Sequence, residues 1–288
     1  WQTEDTMDLL IVWISMVFTA VADTRGEDIP LNMAPDSVDD DYEGCSAEMS
    51  KLVNKKYLPS EKSDTFAEDW RKAEKAIQEK GMKPQFDNLT MNHAIAIRLY
   101  TDNKLNIYSD LIKAVRAGKK YYRTTFQYRA LHFLLIDAIQ RLKPKQDREM
   151  TVYRRARDKF NLNPPIRFGS FTSTSSESDL TQYGTKSCFV VLTKYGAKVS
   201  KYSKYPEENE VLIPPYEKFR IIKGKITPKN CETVYHLESI GIESNLRCAM
   251  SSSTYHGIGP SWSLKVAGFP YVTCPSVLIA SLWMQMCF

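Results

Sequence analysis

The chain has 288 residues, 43% of them hydrophobic and 25% charged, with a formal net charge of +5. That mixture excludes intrinsic disorder as the main state and bounds the protein to one large domain or two small ones. The positive excess is mild, spread over Lys-rich stretches, and interrupted by Asp36, Asp39, Asp40, Asp41 and Glu43, so nucleic-acid binding is not indicated.

Both ends are too apolar to belong to the same globule. Leu9 to Ala22 is an uncharged apolar run closing on Ala20-Val21-Ala22. It is shorter than the roughly 20 residues of a bilayer span and fits a secretory signal peptide over residues 1–22 better than a core helix, which would carry a polar face. At the other end no Lys or Arg follows Lys265, so nothing stops the tail in a membrane as a retained anchor would be stopped. Ser251-Ser252-Ser253, the spacer Thr254 to Lys265 and the tail Val266 to Phe288 instead match a glycosylphosphatidylinositol attachment signal over residues 251–288. Plain secretion and a retained span are the alternatives. The expected folded domain is therefore 23–250.

Within that domain the texture changes midway. Residues 60–143 read as helices. Thr65 to Lys80 has charges at i and i+4 and stops at Gly81; Leu105 to Ala117 lines up Leu105, Tyr108, Leu111, Ile112 and Val115 and stops at Gly118. Tyr121 to Leu142 carries a wide apolar stripe and ends before Pro144. From residue 150 to 240 the period shortens to β-rich runs: Met150 to Tyr153, Ile166 to Phe171, Ser187 to Thr193, Val211 to Ile213, Phe219 to Ile226 and Thr233 to Leu237. Helices first and strands after predict an α+β domain. Asn88-Leu89-Thr90 is a glycosylation sequon in a polar turn.

Four cysteines lie between the two ends: Cys45, Cys188, Cys231 and Cys248. An even number in an oxidising compartment predicts disulfides, with three pairings open; Cys45 to Cys248 would tie the start of the domain to its end. No C-x-x-C occurs and the four His are scattered, so no metal site is expected.

Three stretches are unusual for purely structural strands. Val152-Tyr153-Arg154-Arg155 ends a β run in two guanidinium groups. Phe168-Gly169-Ser170-Phe171-Thr172-Ser173-Thr174-Ser175-Ser176 is dense in hydroxyls. Glu207-Glu208-Asn209-Glu210 runs straight into Val211-Leu212-Ile213-Pro214-Pro215, and carboxylates at the mouth of a buried strand are costly without partners. Singly, each reads as a surface cation, a solvent-facing strand and a solvated loop. In this order they resemble the Arg, Ser-Thr-Ser and Glu-x-Glu signature of arginine-specific mono-ADP-ribosyltransferases.

The resemblance to the vertebrate ecto-ADP-ribosyltransferases covers residues 29 to 250. Leu31-Asn32-Met33-Ala34-Pro35, Ser37-Val38-Asp39-Asp40 and Tyr42-Glu43-Gly44-Cys45 resemble the family's N-terminal block, and Leu131-His132-Phe133-Leu134-Leu135 its central helix. Glu210 to Pro215 with Tyr216-Glu217-Lys218-Phe219 is similar to its most recognisable stretch. It implies a helical part packed on a two-sheet β core, a transferase moving ADP-ribose from NAD to arginine on extracellular proteins, NAD as co-substrate, and no bound cofactor.

On this resemblance Glu210 stabilises the ribosyl cation formed when the nicotinamide bond breaks. Glu208, two residues earlier on an extended chain, points to the same side and meets the acceptor guanidinium. Arg154 clamps the diphosphate, and Ser173 bonds the nicotinamide-side ribose and braces Glu210. Phe171 and Phe168 either stack on nicotinamide or pack in the core.

Two departures stand out. Arg155 replaces the family's usual Gly after the clamp Arg and is expected to add bulk and charge beside the cofactor. Thr193-Lys194-Tyr195-Gly196 stands where many relatives have Cys, which leaves Cys188 to Cys231 only as a remainder pairing. NAD glycohydrolase and a silent surface binding protein are the competing readings; Glu208 argues for arginine, Arg155 for the silent binder.

Overall fold

The computed structural model describes residues 28–62 and 65–251. The expected leader, most of the attachment signal and the tail lie outside the described residues, among which no helix is long and apolar enough to cross a membrane.

The first half is helical. α1 (Ser46–Leu52) winds through a π turn, Val53–Tyr57, into α2 (Leu58–Glu61). α3 (Thr65–Glu79) buries Trp70, Ala73 and Ile77 at helical spacing and sets Lys72 against Glu68, 2.7 Å apart, on its wet face. The chain leaves it through Gly81 at φ +60°, a conformation that favours glycine. α4 (Met91–Thr101) is capped by Thr90, whose hydroxyl accepts from the His93 N–H while the His93 ring accepts from the Thr90 N–H. Every residue from His93 to Thr101 is buried. The expected sequon precedes this cap, with Asn88 exposed. α5 (Asn106–Ala117) buries Ile107, Leu111 and Val115.

α6 spans Arg129–Leu142, so the helix expected from Tyr121 starts eight residues late. Two partners decide this. Tyr122 turns into the core, where its phenol donates to Asp40 at 2.9 Å. The Glu61 carboxylate accepts from the Ala130 and Leu131 N–H groups at 2.7 and 3.3 Å, capping the helix at its positive end.

The second half holds two sheets of unequal size. β1 (Ile29–Leu31) pairs in parallel with β3 (Phe160–Leu162). The large sheet contains β2 (Met150–Ala156), β4 (Thr172–Ser175), β5 (Ser187–Thr193), β6 (Ala197–Lys198), β7 (Glu210–Ile213), β8 (Glu217–Ile221) and β9 (Thr233–Ile242). Their order is β6-β7-β4-β2-β5-β9-β8, antiparallel except for β5 beside β9. One apolar cluster joins helices to Phe171, Ala197 and Leu212; the other, around Val152, Phe189 and Phe219, reaches Leu31, Phe160 and Leu162 on the small sheet. The strand expected over Ile166 to Phe171 is reduced to a single bridge, Ile166 to Phe219. There Gly169 takes φ +73°, and a Cβ on it would lie 2.6 Å from the Ala34 Cβ.

Asp39, Asp40 and Asp41 are not solvated charges but a buried clasp. Asp39 pairs with the buried Arg167 at 2.5 Å and accepts from the Asn245 and Leu246 N–H groups. Asp40 accepts from the Tyr42 and Cys248 N–H groups, and Asp41 from Arg247. The Cys45–Cys248 disulfide closes the same junction of chain start and chain end; over so long a loop it contributes roughly 5 kcal/mol on the loop-entropy account. Breaking one partner of a buried ion pair strands the other, so Asp39→Asn is expected to lower unfolding free energy by about 3 kcal/mol. Arg220→Ala, which removes an exposed partner of Glu238, should cost less than about 1 kcal/mol. Urea unfolding of the full chain with disulfides intact measures both.

Candidate active site

A cleft of about 300 Å³ opens where β2, β4 and β7 lie side by side, and Arg154, Ser173, Glu208 and Glu210 all line it. The β4–β7 register opposes Ser175 to Glu210 and Ser173 to Leu212, so the hydroxyl-rich strand and the acidic mouth meet by backbone pairing. Arg154 donates through Nη1 to the Ser173 carbonyl at 2.8 Å.

Glu210 is buried. Its carboxylate accepts from the Ser203 hydroxyl at 3.0 Å and from the Ser173 side chain. Loss of water raises its pKa to about 7; the two hydroxyls and the Arg154 charge oppose that rise, and the charge of Glu208 adds to it. Ser203 is itself buried and held by α4, where Arg98 donates to its carbonyl at 2.9 Å. Nothing in the sequence marked Ser203 beyond its lying in the loop before the Glu pair.

Glu208 reaches the cleft by a route other than the expected one. It ends a 3-10 turn, Pro206–Glu208, and Asn209 follows at φ +47°, so the chain between the two Glu is not extended. An extended chain would also have put residues i and i+2 on one side; here a tight turn delivers both carboxylates to one space instead. Glu208 is half-buried and accepts from the Tyr183 hydroxyl.

Of the two readings left open for the aromatics, core packing is the one the structure shows, and the cofactor contact expected of Phe171 is not seen. Phe171 packs edge-on against Tyr100 and His132, and Phe168 against Phe189 and Phe219; both are buried in the two cores. The rings that line the cleft are Tyr108, Tyr153, Tyr183 and Tyr205.

Arg155 also departs from expectation. Neighbours on a strand point to opposite faces, and its guanidinium is spent on the Ser178 carbonyl at 2.7 and 2.9 Å and the Lys229 carbonyl at 2.8 Å, beside the Cys188–Cys231 sulfurs. Part of Arg155 still lines the cleft, but its guanidinium is held by backbone carbonyls and is not a free charge beside Arg154. The remainder pairing Cys188–Cys231 is formed. Among the described residues no cluster of three or more His, Cys, Asp or Glu is arranged to hold a metal ion.

The sequence profile of the NAD:arginine ADP-ribosyltransferases matches residues 31–244. The chain belongs to this family. Among relatives, it is 35% identical over 226 residues to NAD(P)(+)-arginine ADP-ribosyltransferase 2 of Gallus gallus, covering 70% of this chain and 72% of the relative. It is 31% identical to the GPI-linked NAD(P)(+)-arginine ADP-ribosyltransferase 1 of Mus musculus, covering 83% and 79%, and 33% identical to Homo sapiens ecto-ADP-ribosyltransferase 4, covering 88% and 82%. Among solved structures, a mutant of the eukaryotic mono-ADP-ribosyltransferase ART2.2 in complex with NADH superposes with a TM-score of 0.66 at 25% identity over 77% of this chain and all of that one. A second mutant of the same enzyme, in complex with NAD, gives 0.64 at 27%, with the same coverage.

In this ADP-ribosyltransferase the buried Glu210 is a cost to the fold. Its pKa rises from 4.5 unfolded to about 7 folded, so between those values the folded state binds more protons and stability falls as pH increases. Glu210→Gln removes that cost, and at pH 8 it should stabilise by about 3 kcal/mol, roughly 6 °C in Tm. The gain should vanish only below the unfolded pKa of 4.5, and thermal melts on either side of the two pKa values check it.

Proposed function

We propose that this cleft takes NAD and transfers its ADP-ribose to the guanidinium of arginine side chains on extracellular proteins, releasing nicotinamide. The observation that carries the reading is a deeply buried carboxylate, Glu210, sharing one cleft with a guanidinium, a hydroxyl strand and a second, less buried carboxylate. Its support from relatives is that two of them are named arginine ADP-ribosyltransferases and that a mutant of ART2.2 crystallised with NAD.

In the reaction the C–N bond between ribose and nicotinamide breaks, the electron pair leaves with nicotinamide, and positive charge develops on the ribosyl carbon. Ionised Glu210, oriented by Ser173 and Ser203, stabilises that charge where water cannot. Arg154 pairs with the diphosphate oxygens. The acceptor guanidinium bonds Glu208, which takes up the proton lost as the new C–N bond forms. Water can serve as acceptor instead, giving NAD glycohydrolase activity, but the second carboxylate favours arginine. A silent binder loses much of its argument, since the Arg155 guanidinium is engaged by the Ser178 and Lys229 carbonyls.

The two carboxylates should come apart on substitution. Glu210→Gln is expected to lose arginine transfer and nicotinamide release together, to below a tenth of wild type, a barrier increase of more than about 1.4 kcal/mol. Glu208→Gln should lower the ratio of arginine transfer to nicotinamide release at least tenfold. Labelled NAD, with and without the arginine mimic agmatine, reads both on one preparation; equal falls in both activities for Glu208→Gln would mean that it serves NAD and not the acceptor.

We further propose a cell-surface location through a lipid anchor attached at Ser251 to Ser253, in keeping with the GPI-linked mouse relative. Phosphatidylinositol-specific phospholipase should release activity from intact cells expressing the full chain. Activity retained on treated cells, with the tail still detectable by mass, would show a transmembrane anchor.

A further inference from the structure

The segment between β4 and β5 carries Tyr183 into the cleft, and three contacts from β2 and its end fasten it there. Arg155 holds the Ser178 carbonyl through two donors. Arg157 donates to the Gln182 carbonyl at 3.0 Å. Gly184, at φ +133°, lies so close to β2 that a Cβ would sit 2.3 Å from the Ala156 carbonyl carbon, a contact open only to glycine. Between the last two, the turn Thr181–Tyr183 projects the phenol.

Glu208 is fastened from the end of β4 and from the start of the same segment. Its carbonyl accepts from the Ser175 hydroxyl at 2.6 Å, and Asn209 donates to Glu177 at 3.0 Å. The bond from the Tyr183 hydroxyl to Glu208 Oε1 therefore joins two turns, each with backbone anchors of its own, on β2 for Tyr183 and on Ser175 for Glu208. Burial and the Glu208 carboxylate both push the Tyr183 pKa up, so the phenol stays protonated and can act as a donor across physiological pH.

We propose that Tyr183 is a positioning residue for the acceptor: its hydroxyl fixes the Glu208 carboxylate plane so that a guanidinium can engage the remaining oxygen positions. This rests on the reading of Glu208 as the acceptor-side carboxylate. A planar fork needs a carboxylate held in one orientation, and a carboxylate at the end of a Glu side chain otherwise loses rotamer freedom on each binding event. Loss of the hydroxyl is thus felt in acceptor binding more than in NAD binding, although Tyr183 lines the same cleft.

The test compares Tyr183→Phe, Tyr183→Leu and Glu208→Gln in the full chain expressed in a secretory host, with KM for agmatine and for NAD measured separately. For Tyr183→Phe the agmatine KM should rise about tenfold, and at least fivefold more than the NAD KM. Tyr183→Leu, which also removes the ring and loosens the turn, should raise both. A Phe variant whose two KM values rise together, or neither of which changes, overturns the role of the hydroxyl while leaving Glu208 in place. Glu208→Gln that transfers to agmatine as well as wild type overturns the Glu208 reading, and the Tyr183 proposal with it.

Discussion

A carboxylate removed from water must be given donors or it must take up a proton, and this molecule buries several. Asp39 receives a guanidinium and two backbone N–H groups. Glu61 receives the start of a helix. Glu217, fully buried at the head of β8, receives the Thr193 hydroxyl and the Lys194 and Tyr195 N–H groups. These are the joints of the fold: chain start to chain end, α2 to α6, β8 to the turn after β5. Burial raises the Glu61 pKa to about 7 in spite of its N–H donors, and Glu210 shares that shortfall inside the cleft. It has two hydroxyls and a share of the Arg154 charge, and the deficit appears as a pKa near 7. A site short of positive charge in the empty protein is one that gains most when a cation forms beside it.

The helical half exists, from the viewpoint of this site, to hold two backbone segments in place. Tyr100 donates to the Phe171 carbonyl at 2.8 Å, just ahead of Ser173 on β4. Two residues before it Arg98 holds the Ser203 carbonyl, and one residue after it Thr101 accepts from the Lys204 N–H at 2.8 Å. A single buried helix, α4, thus sets both hydroxyls that reach Glu210. The burial of Phe171 follows from the same arrangement: its ring fills the space between Tyr100 and His132, and no aromatic face is left for a ligand.

Where amphipathic periodicity was present the sequence was legible: α3 and α5 begin and end within a residue of their Gly-terminated patterns. It was silent on α4, because a helix buried all round has no period to read. It misled at Tyr121 to Tyr128, where apolar spacing continues but Tyr122 is pulled inward by Asp40, a partner 82 residues away. The motif residues Arg154, Ser173, Glu208 and Glu210 do converge, as order along the chain and strand pairing imply. Their helpers did not show. Ser203 and Tyr183 act through tertiary contacts that no local pattern encodes, and the same holds for Arg155, whose partners lie 23 and 74 residues on.

The proposed division between the two Glu carries a thermodynamic consequence. The negative charge of Glu208 is one of the causes that raise the Glu210 pKa. A guanidinium seated on Glu208 cancels that charge, which favours ionised Glu210. By reciprocity, ionised Glu210 favours the guanidinium equally. Acceptor binding and readiness to stabilise the ribosyl cation therefore reinforce one another, whereas water, carrying no charge, brings no such help. Discrimination between transfer and idle hydrolysis then needs no separate gate: it is built into two carboxylates of unequal burial held in one cleft.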